Sequence, residues 1–500
     1  MNVVKTSLLT CLLANAIQAI GAEENRTNII LIMTDQQSFN TISAYQEIYN
    51  GVYSQTPNID RLVKNGISFT RAYCANPVSV PSRFSLFTGM YGGVYSIREN
   101  MCRGAEESVV RLVLETNGMG AVFTRGGYET VYAGKVHLPF CGNKGNGKFT
   151  APVGYGFQTY LTKDEREDLS RITANFVAHR KATDKPMLLV SSFLNPHDIC
   201  LEGSANLSST IKGNKEEKIK TVQMLRERAA SYDSLKFYQE MVPSLPFNFA
   251  QTTGYPDTKA SRKRFLDYPE WYWKKYRWTY AELVSMVDAH IGKILDALDA
   301  NPELKKKTIV VFTSDHGEMQ AAHHSMTKSL PYEECQRVPF IFAGKGIPKH
   351  RVDNSLVCNG VDLLPTLCDL AGIEKPDKLD GLSLANRVKG GDQPLNRSSV
   401  FVESELFVTL INGNYKYTYF DRDHGHEMLI DLSTDPGELK NVKDDPEIAR
   451  KFMPIFRSEL KKHMVNFPKE EVKPLFQKKK RKRNYVKRFS NLGINEPRYF

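Results

Sequence analysis

The sequence predicts an α/β domain built on a large, mostly parallel sheet flanked by helices, followed by a smaller C-terminal α+β domain with an antiparallel sheet. Three observations carry this. Residues 28–33, 187–193 and 308–313 are short apolar runs without alternation, as strands of a parallel sheet covered on both faces should be. Residues 280–298 place Leu283, Val287, Ile291, Ile294 and Leu298 on one helical face, so helices interleave with those strands. Near residue 395 the style changes. The turn signal Asn412-Gly413-Asn414 leads into residues 415–420, which alternate and are rich in strand formers.

Composition narrows the class. Of 500 residues, 41% are hydrophobic and 25% charged, which excludes a disordered or fibrous chain. The formal charge is +11, but residues 469–500 alone contribute +8. A basic balance concentrated in one segment is a solvated tail rather than a nucleic-acid surface. No nucleic-acid partner is expected.

Taken from the start, residues 1–22 read as an export signal. Lys5 precedes the apolar Leu8, Leu9, Leu12 and Leu13, and Ala19-Ile20-Gly21-Ala22 offers small residues for cleavage. No other apolar run reaches the ~18–20 residues of a membrane helix. An exported protein, periplasmic or extracellular and without a membrane span, is expected. Beyond the signal stand seven cysteines, Cys74, Cys102, Cys141, Cys200, Cys335, Cys358 and Cys368. An odd number leaves at least one thiol unpaired within the chain. Residues 23–395 read as the large domain, 396–468 as the smaller one and 469–500 as a basic tail. Residues 200–265 are polar with no clear core strand and read as an insertion or lid. The aromatic and cationic run 271–278 reads as packing ahead of the next helix rather than a sugar platform. Residues 446–464 have helical spacing. Pro446 suits a first turn, and Pro454 should kink or split the helix.

Polar residues collect where strands end. Asp35-Gln36, Lys135 with His137, His197-Asp198 and Asp315-His316 each follow a strand-like run. Ligands of open parallel sheets bind beyond the carboxyl ends of strands, so four segments deliver Asp, His and Lys to one edge. A fifth segment, residues 77–89, holds Ser79, Pro81 and Arg83. Pro81 suits the first turn of a helix, which places Ser79 just before the N-terminus, where an anion is favoured. Arg83, one turn on, could reach back to that anion. His323 and His324 read as loop residues rather than pocket lining.

These motifs are similar to those of a known family. Ser79-x-Pro81-Ser82-Arg83 with Leu86-Phe87-Thr88-Gly89 resembles the active-site signature of the formylglycine-dependent sulfatases. Residues 127–137, ending in Gly134-Lys135-Val136-His137, resemble the second signature. The likeness extends to residues 28–36, 56–60 and 314–318, to Lys328 with Tyr332-Glu333-Glu334, and to 431–438. It covers nearly the whole chain to about residue 465.

The resemblance implies an alkaline-phosphatase-like fold and a serine-type bacterial sulfatase acting on a sulfated carbohydrate. It implies that Ser79 is oxidised to formylglycine by a maturation enzyme, the aldehyde hydrate replacing a weak serine nucleophile. It implies a divalent metal, usually Ca2+, on Asp35, Gln36, Asp315 and His316, acting as a Lewis acid. The family more often has Asp at the position of Gln36 and Asn at that of His316. Arg83, Lys135 and Lys328 would surround the sulfate charge. His137 would assist sulfate elimination, and His197 would protonate the leaving alcohol. Two other readings share these residues: a phosphoester or phosphonate hydrolase of the same superfamily, and a glycan-binding pseudoenzyme with Ser79 unmodified.

Overall fold

A computed structural model of the chain describes residues 26–45, 54–139, 152–203, 216–250, 268–421 and 425–468. The expected export signal, the basic tail and Cys141 lie outside them. Eight strands form the large sheet: β1 (Asn28–Asp35), β2 (Gly66–Tyr73), β3 (Glu129–Gly134), β4 (Thr159–Tyr160), β5 (Met187–Pro196), β6 (Thr308–Ser314), β7 (Phe340–Gly344) and β8 (Arg351–Cys358). Their order is β4-β3-β5-β1-β6-β7-β2-β8. Both pairings of β7, with β6 and with β2, are antiparallel, and the other pairings are parallel. The sheet is therefore mixed and mostly parallel.

The unbroken apolar strands have a simple cause. Ile29, Leu31 and Met33 of β1 enter one core, and Ile30 and Ile32 enter another on the opposite face. Each residue is withdrawn from water, so none can be polar without a partner. The helices that cover the sheet include α1 (Pro57–Lys64), α2 (Ser79–Thr88), α3 (Glu107–Asn117), α4 (Met119–Arg125), α5 (Glu167–His179), α6 (Glu216–Ser231), α7 (Glu270–Asp299) and α8 (Asn359–Ala371). The long α7 begins ten residues before the stretch with clear helical periodicity. Its first turns are the aromatic run. Trp271, Tyr272, Trp273, Tyr276 and Trp278 are buried in a cluster with Leu225 and Phe237, so that run is packing. Residues 199–250 hold Ile199–Gly203 and α6, and no strand among the described residues.

The second sheet is antiparallel, in the order β12-β11-β10-β9. Its strands are β9 (Ser399–Glu403), β10 (Val408–Asn412), β11 (Tyr415–Tyr419) and β12 (Glu427–Asp431). Gly413, at φ 55°, makes the tight turn between β10 and β11. Two helices follow, α9 (Pro446–Lys451) and α10 (Met453–His463), with Pro454 in the first turn of α10. The break foreseen at Pro454 is there. Phe456 and Leu460 of α10 pack on Leu410, Tyr417 and Leu429 of the sheet. Six cysteines of the described residues are free thiols. No described helix is long and apolar enough to cross a membrane.

One buried cation ties the second sheet to the first domain. Lys416 of β11 has a fully buried side chain, 3.0 Å from Glu333 and 2.9 Å from Glu438. Burial works to lower its pKa, but Glu438 and Glu333 raise it above the usual lysine value. Lys416→Met should cost about 3–5 kcal/mol of stability, because removing one partner leaves buried carboxylates uncompensated. Urea unfolding of both proteins checks this.

Candidate active site

Strand register assembles the site. In the pairing of β1 with β6, Thr34 lies opposite Ser314, so Asp35 and Asp315 leave neighbouring strands side by side. On the other flank Asp35 pairs with Pro196, which puts His197 next to it. Gly134 of β3 lies opposite Ser192 of β5, and Lys135 follows. The four segments expected at one sheet edge do converge there.

Helix α2 brings Ser79. Ser79 is the first helical residue, after an extended Val78, one position further in than the expected site before the helix. Val78 already has strand geometry, so the helical turn starts with the serine. All ten residues of α2 are buried. The Ser79 Oγ lies 3.0 Å from Nε2 of His316 and 3.2 Å from Nζ of Lys328. Lys328 Nζ is in turn 3.2 Å from His316 Nε2. His316 Nδ1 lies 2.9 Å from the Gly317 carbonyl, which can only accept. The proton therefore sits on Nδ1, and Nε2 offers a lone pair to Ser79 and Lys328.

Arg83 does not reach back to Ser79. Its Nε donates to Asp315 Oδ2 at 2.8 Å and its Nη2 to Asp35 Oδ2 at 3.1 Å. Nη1 donates to Ser192 Oγ at 2.9 Å and to the Lys135 carbonyl at 3.2 Å. The reason is electrostatic: two buried carboxylates attract the guanidinium more strongly than a neutral hydroxyl. Lys135 adds a contact of 2.5 Å to Asp35.

Burial works to raise the Asp35 carboxyl, but Lys135, His197, Lys328 and Arg83 outweigh it and hold Asp35 well below the usual carboxylate range. Asp315 is pushed up to about 7, by burial first and by Asp35 second. Burial and neighbouring lysines hold His137, His197 and His316 well below the usual histidine value. For His137 and His197 the lysine with the larger effect is Lys135, and for His316 it is Lys328. His197 stands at the rim, with 29% of its side chain exposed and Nε2 4.0 Å from Asp35 Oδ1.

The donor set fits a hard divalent cation. Ligand atoms of Asp35, Asp315 and His316 all lie within 4.8 Å of one another. Asp35 Oδ1 is buried with no hydrogen-bond partner, as an oxygen waiting for a cation would be. The Gln36 backbone N–H donates to Asp315 Oδ1 at 3.0 Å. Its side-chain amide contacts two residues to which sequence reasoning gave no role. Nε2 donates to Glu318 Oε2 at 2.5 Å and lies 3.3 Å from Cys200 Sγ. Nothing local in the sequence marks Glu318 for this contact, which spans 282 positions.

A second group, His323, Glu334 and Glu438, also comes within 4.8 Å, but there Lys416 already supplies the cation. His323 stacks on Tyr332 at 3.7 Å, and His324 packs on Phe249 and Trp273. Both are packed loop residues.

The chain belongs to the sulfatase family, whose model matches residues 27–373. The model for the C-terminal region of N-sulphoglucosamine sulphohydrolase matches residues 321–467. The chain is 30% identical over 457 residues to the Delta 4,5-hexuronate-2-O-sulfatase of Bacteroides thetaiotaomicron, covering 86% of this chain and 88% of that one. It is 25% identical over 519 residues to the N-acetylglucosamine-6-O-sulfatase of the same organism, covering 91% and 90%. Among solved structures it matches a 2-O GAG sulfatase with a TM-score of 0.67 at 26% identity, over 88% of this chain and 92% of that one. The phosphonate monoester hydrolase of Agrobacterium radiobacter shares the fold, with a TM-score of 0.62 at 20% identity over 88% and 96%. Membership makes the chain a sulfuric ester hydrolase.

Arg83→Lys keeps the charge but loses the planar fork. With carboxylate oxygens left short of donors, stability should fall by about 1–3 kcal/mol. Urea unfolding without added metal measures it.

Proposed function

We propose that this sulfatase removes sulfate from a carbohydrate, of the glycosaminoglycan kind named for its relatives, using a formylglycine made from Ser79. The observation that carries this is the setting of Ser79. Its Oγ lies within 3.2 Å of both Lys328 and His316 at a buried helix start, in a site that also brings together Asp35 and Asp315. The Lys328 ammonium and the N–H groups of the helix start favour an anion there.

Asp35, Asp315 and His316, with the oxygen of Gln36, would hold the divalent cation, for which we propose calcium. Bound there, it would supply Lewis-acid polarisation of the sulfate. The oxidised Ser79, produced by a maturation enzyme, would supply the nucleophile. The remaining work falls to this chain's own side chains. Arg83 and Lys135 keep the two acidic residues together. Lys135 and Lys328 present positive charge to the sulfate oxygens. His137 stands among Lys135, Asp35 and Arg83 and assists elimination. His197, at the open rim, is placed to give a proton to the departing sugar oxygen once the negative charge of a bound sulfate raises its pKa. The N-terminal segment supports export, to the periplasm or outside the cell.

Sulfate release settles the reaction. Matured protein should release sulfate from sulfated sugars in a panel that includes 2-O and 6-O esters. Ser79→Ala should release none. Phosphonate ester cleavage with no sulfate release would overturn the proposal. His197→Ala should lower kcat by ~10²–10⁴ on sugar sulfates, the usual scale of general acid catalysis. On an aryl sulfate with a nitrophenolate leaving group the loss should stay under about tenfold, since that group departs without a proton. Equal losses on both substrates would remove His197 from this role.

A further inference from the structure

We infer that Glu318 is a positioning residue that fixes which end of the Gln36 amide faces the cation. The inference rests on reading Gln36 as a cation ligand.

An amide has a donor end and an acceptor end of the same shape, and only the oxygen can hold a hard cation. Something must choose between the two orientations. Glu318 does so. Its side chain is fully buried, and its Oε2 takes the Gln36 Nε2–H at 2.5 Å. A carboxylate can only accept, so the NH2 end is claimed and Oε1 becomes the other end. The one hydrogen bond seen at Oε1 comes from the Cys200 thiol at 3.4 Å. A thiol is a weak donor and leaves oxygen capacity to spare.

Glu318 is itself held rigidly. Its Oε1 accepts from the Tyr276 hydroxyl at 2.8 Å and from the Thr327 backbone N–H at 2.6 Å. Tyr276 belongs to α7, and Thr327 directly precedes Lys328. The carboxylate thus locks the Gln36 amide to the loop that carries Lys328. It also places a negative charge one hydrogen bond away from the proposed ligand Gln36, which is itself neutral.

The pair can be exchanged. Gln36 with Glu318, and Glu with Gln at the same two positions, have equal charge, equal length and equal hydrogen-bonding capacity. Either half of the exchange alone breaks the match. Gln36→Glu sets two buried carboxylates against each other. Glu318→Gln sets amide against amide and removes the charge.

The experiment is calcium titration by calorimetry on protein with unmodified Ser79, using calcium chloride alone, together with thermal unfolding in chelator. Glu318→Gln should weaken calcium binding by about 10–100-fold, the scale for groups that orient a ligand. Gln36→Glu should lower Tm in chelator. The double exchange Gln36→Glu with Glu318→Gln should bring both Kd and Tm back to within about threefold and a few degrees of the parent, the non-additivity of a directly contacting pair. If Glu318→Gln fails to fold, the double exchange still decides. A double exchange no better than Glu318→Gln, or a Glu318→Gln protein with unchanged Kd, overturns the inference. Gln36→Ala separates the two readings. If it leaves Kd unchanged, Gln36 is not a ligand and the underlying reading falls. If it weakens binding while Glu318→Gln does not, only the role of Glu318 falls.

Discussion

Two carboxylates stand side by side without water, and the site is arranged around that cost. Asp35 and Asp315 are fully buried at the ends of adjacent parallel strands. Taking each charge from water costs several kcal/mol, and their mutual repulsion adds to it. Arg83 answers with one fork across both, and Lys135 answers at Asp35. That requirement places α2, which carries Arg83, and β3, which leads to Lys135. Ser79 comes with the same helix, four residues ahead of the arginine. The group proposed as nucleophile and the two carboxylates proposed to hold a cation are thus positioned by one element. A hard cation at the orphaned Asp35 Oδ1 would complete the neutralisation that Arg83 and Lys135 begin.

The segment after Asp315 then links the site to the rest of the molecule. Glu318 is tied to Tyr276 of α7, and Ser38 Oγ donates to the Glu318 and Glu334 carbonyls. Lys328 follows, and five residues later Glu333 meets Lys416 of the second sheet. The smaller sheet is therefore attached to the backbone that positions Lys328. Disturbing the Lys416 joint should move the Lys328 ammonium beside Ser79, so this buried ion pair serves placement as well as stability.

How much of this the sequence shows depends on range. β1, β5 and β6 stand out because both faces are buried and each carries an unbroken apolar run of four or more residues, Ile29–Met33, Met187–Val190 and Ile309–Phe312. β8 does not, because its exposure alternates irregularly and Asp353 and Asn354 interrupt it. β2 carries Ser68, Thr70 and Arg71, and no local signal marks it as a partner of β7. The reversed direction of β7 is a tertiary fact with no trace in five residues. The early start of α7 is hidden because an aromatic run obscures the 3.6-residue period. Gln36, Lys135, His197 and Asp315 were legible because each lies just past a strand, whereas Ser79, Arg83 and Lys328 were legible only through the motifs that carry them. Their contacts were not. Arg83 meets Asp315 across 232 positions, and Gln36 meets Glu318 across 282. Spacing along the chain says nothing about such pairs, which is why neither the grip of Arg83 on Asp315 nor the contact of Gln36 with Glu318 can be read from it.

Backbone strain completes the argument for a built site. Gln36, His137, Thr327 and Ser329 all have positive φ, at 71°, 44°, 69° and 72°. None is glycine, and each such residue costs on the order of 1–3 kcal/mol. They fall where a strand end or loop must turn sharply to present a polar side chain. At Gln36 the turn has a visible result: the backbone N–H swings back onto Asp315 Oδ1 while the side chain runs to Glu318. An extended residue would send the chain onward, away from the neighbouring strand. Ser329 is held in the same way, its N–H donating to the Pro77 carbonyl two residues before Ser79. That bond sets Lys328 against the serine. Glycine would relieve the strain at these positions, but at Gln36 it would also delete the proposed ligand. The strain persists because the hydrogen bonds it permits hold charged and ligating groups in place before any substrate arrives, the condition for electrostatic stabilisation without reorganisation.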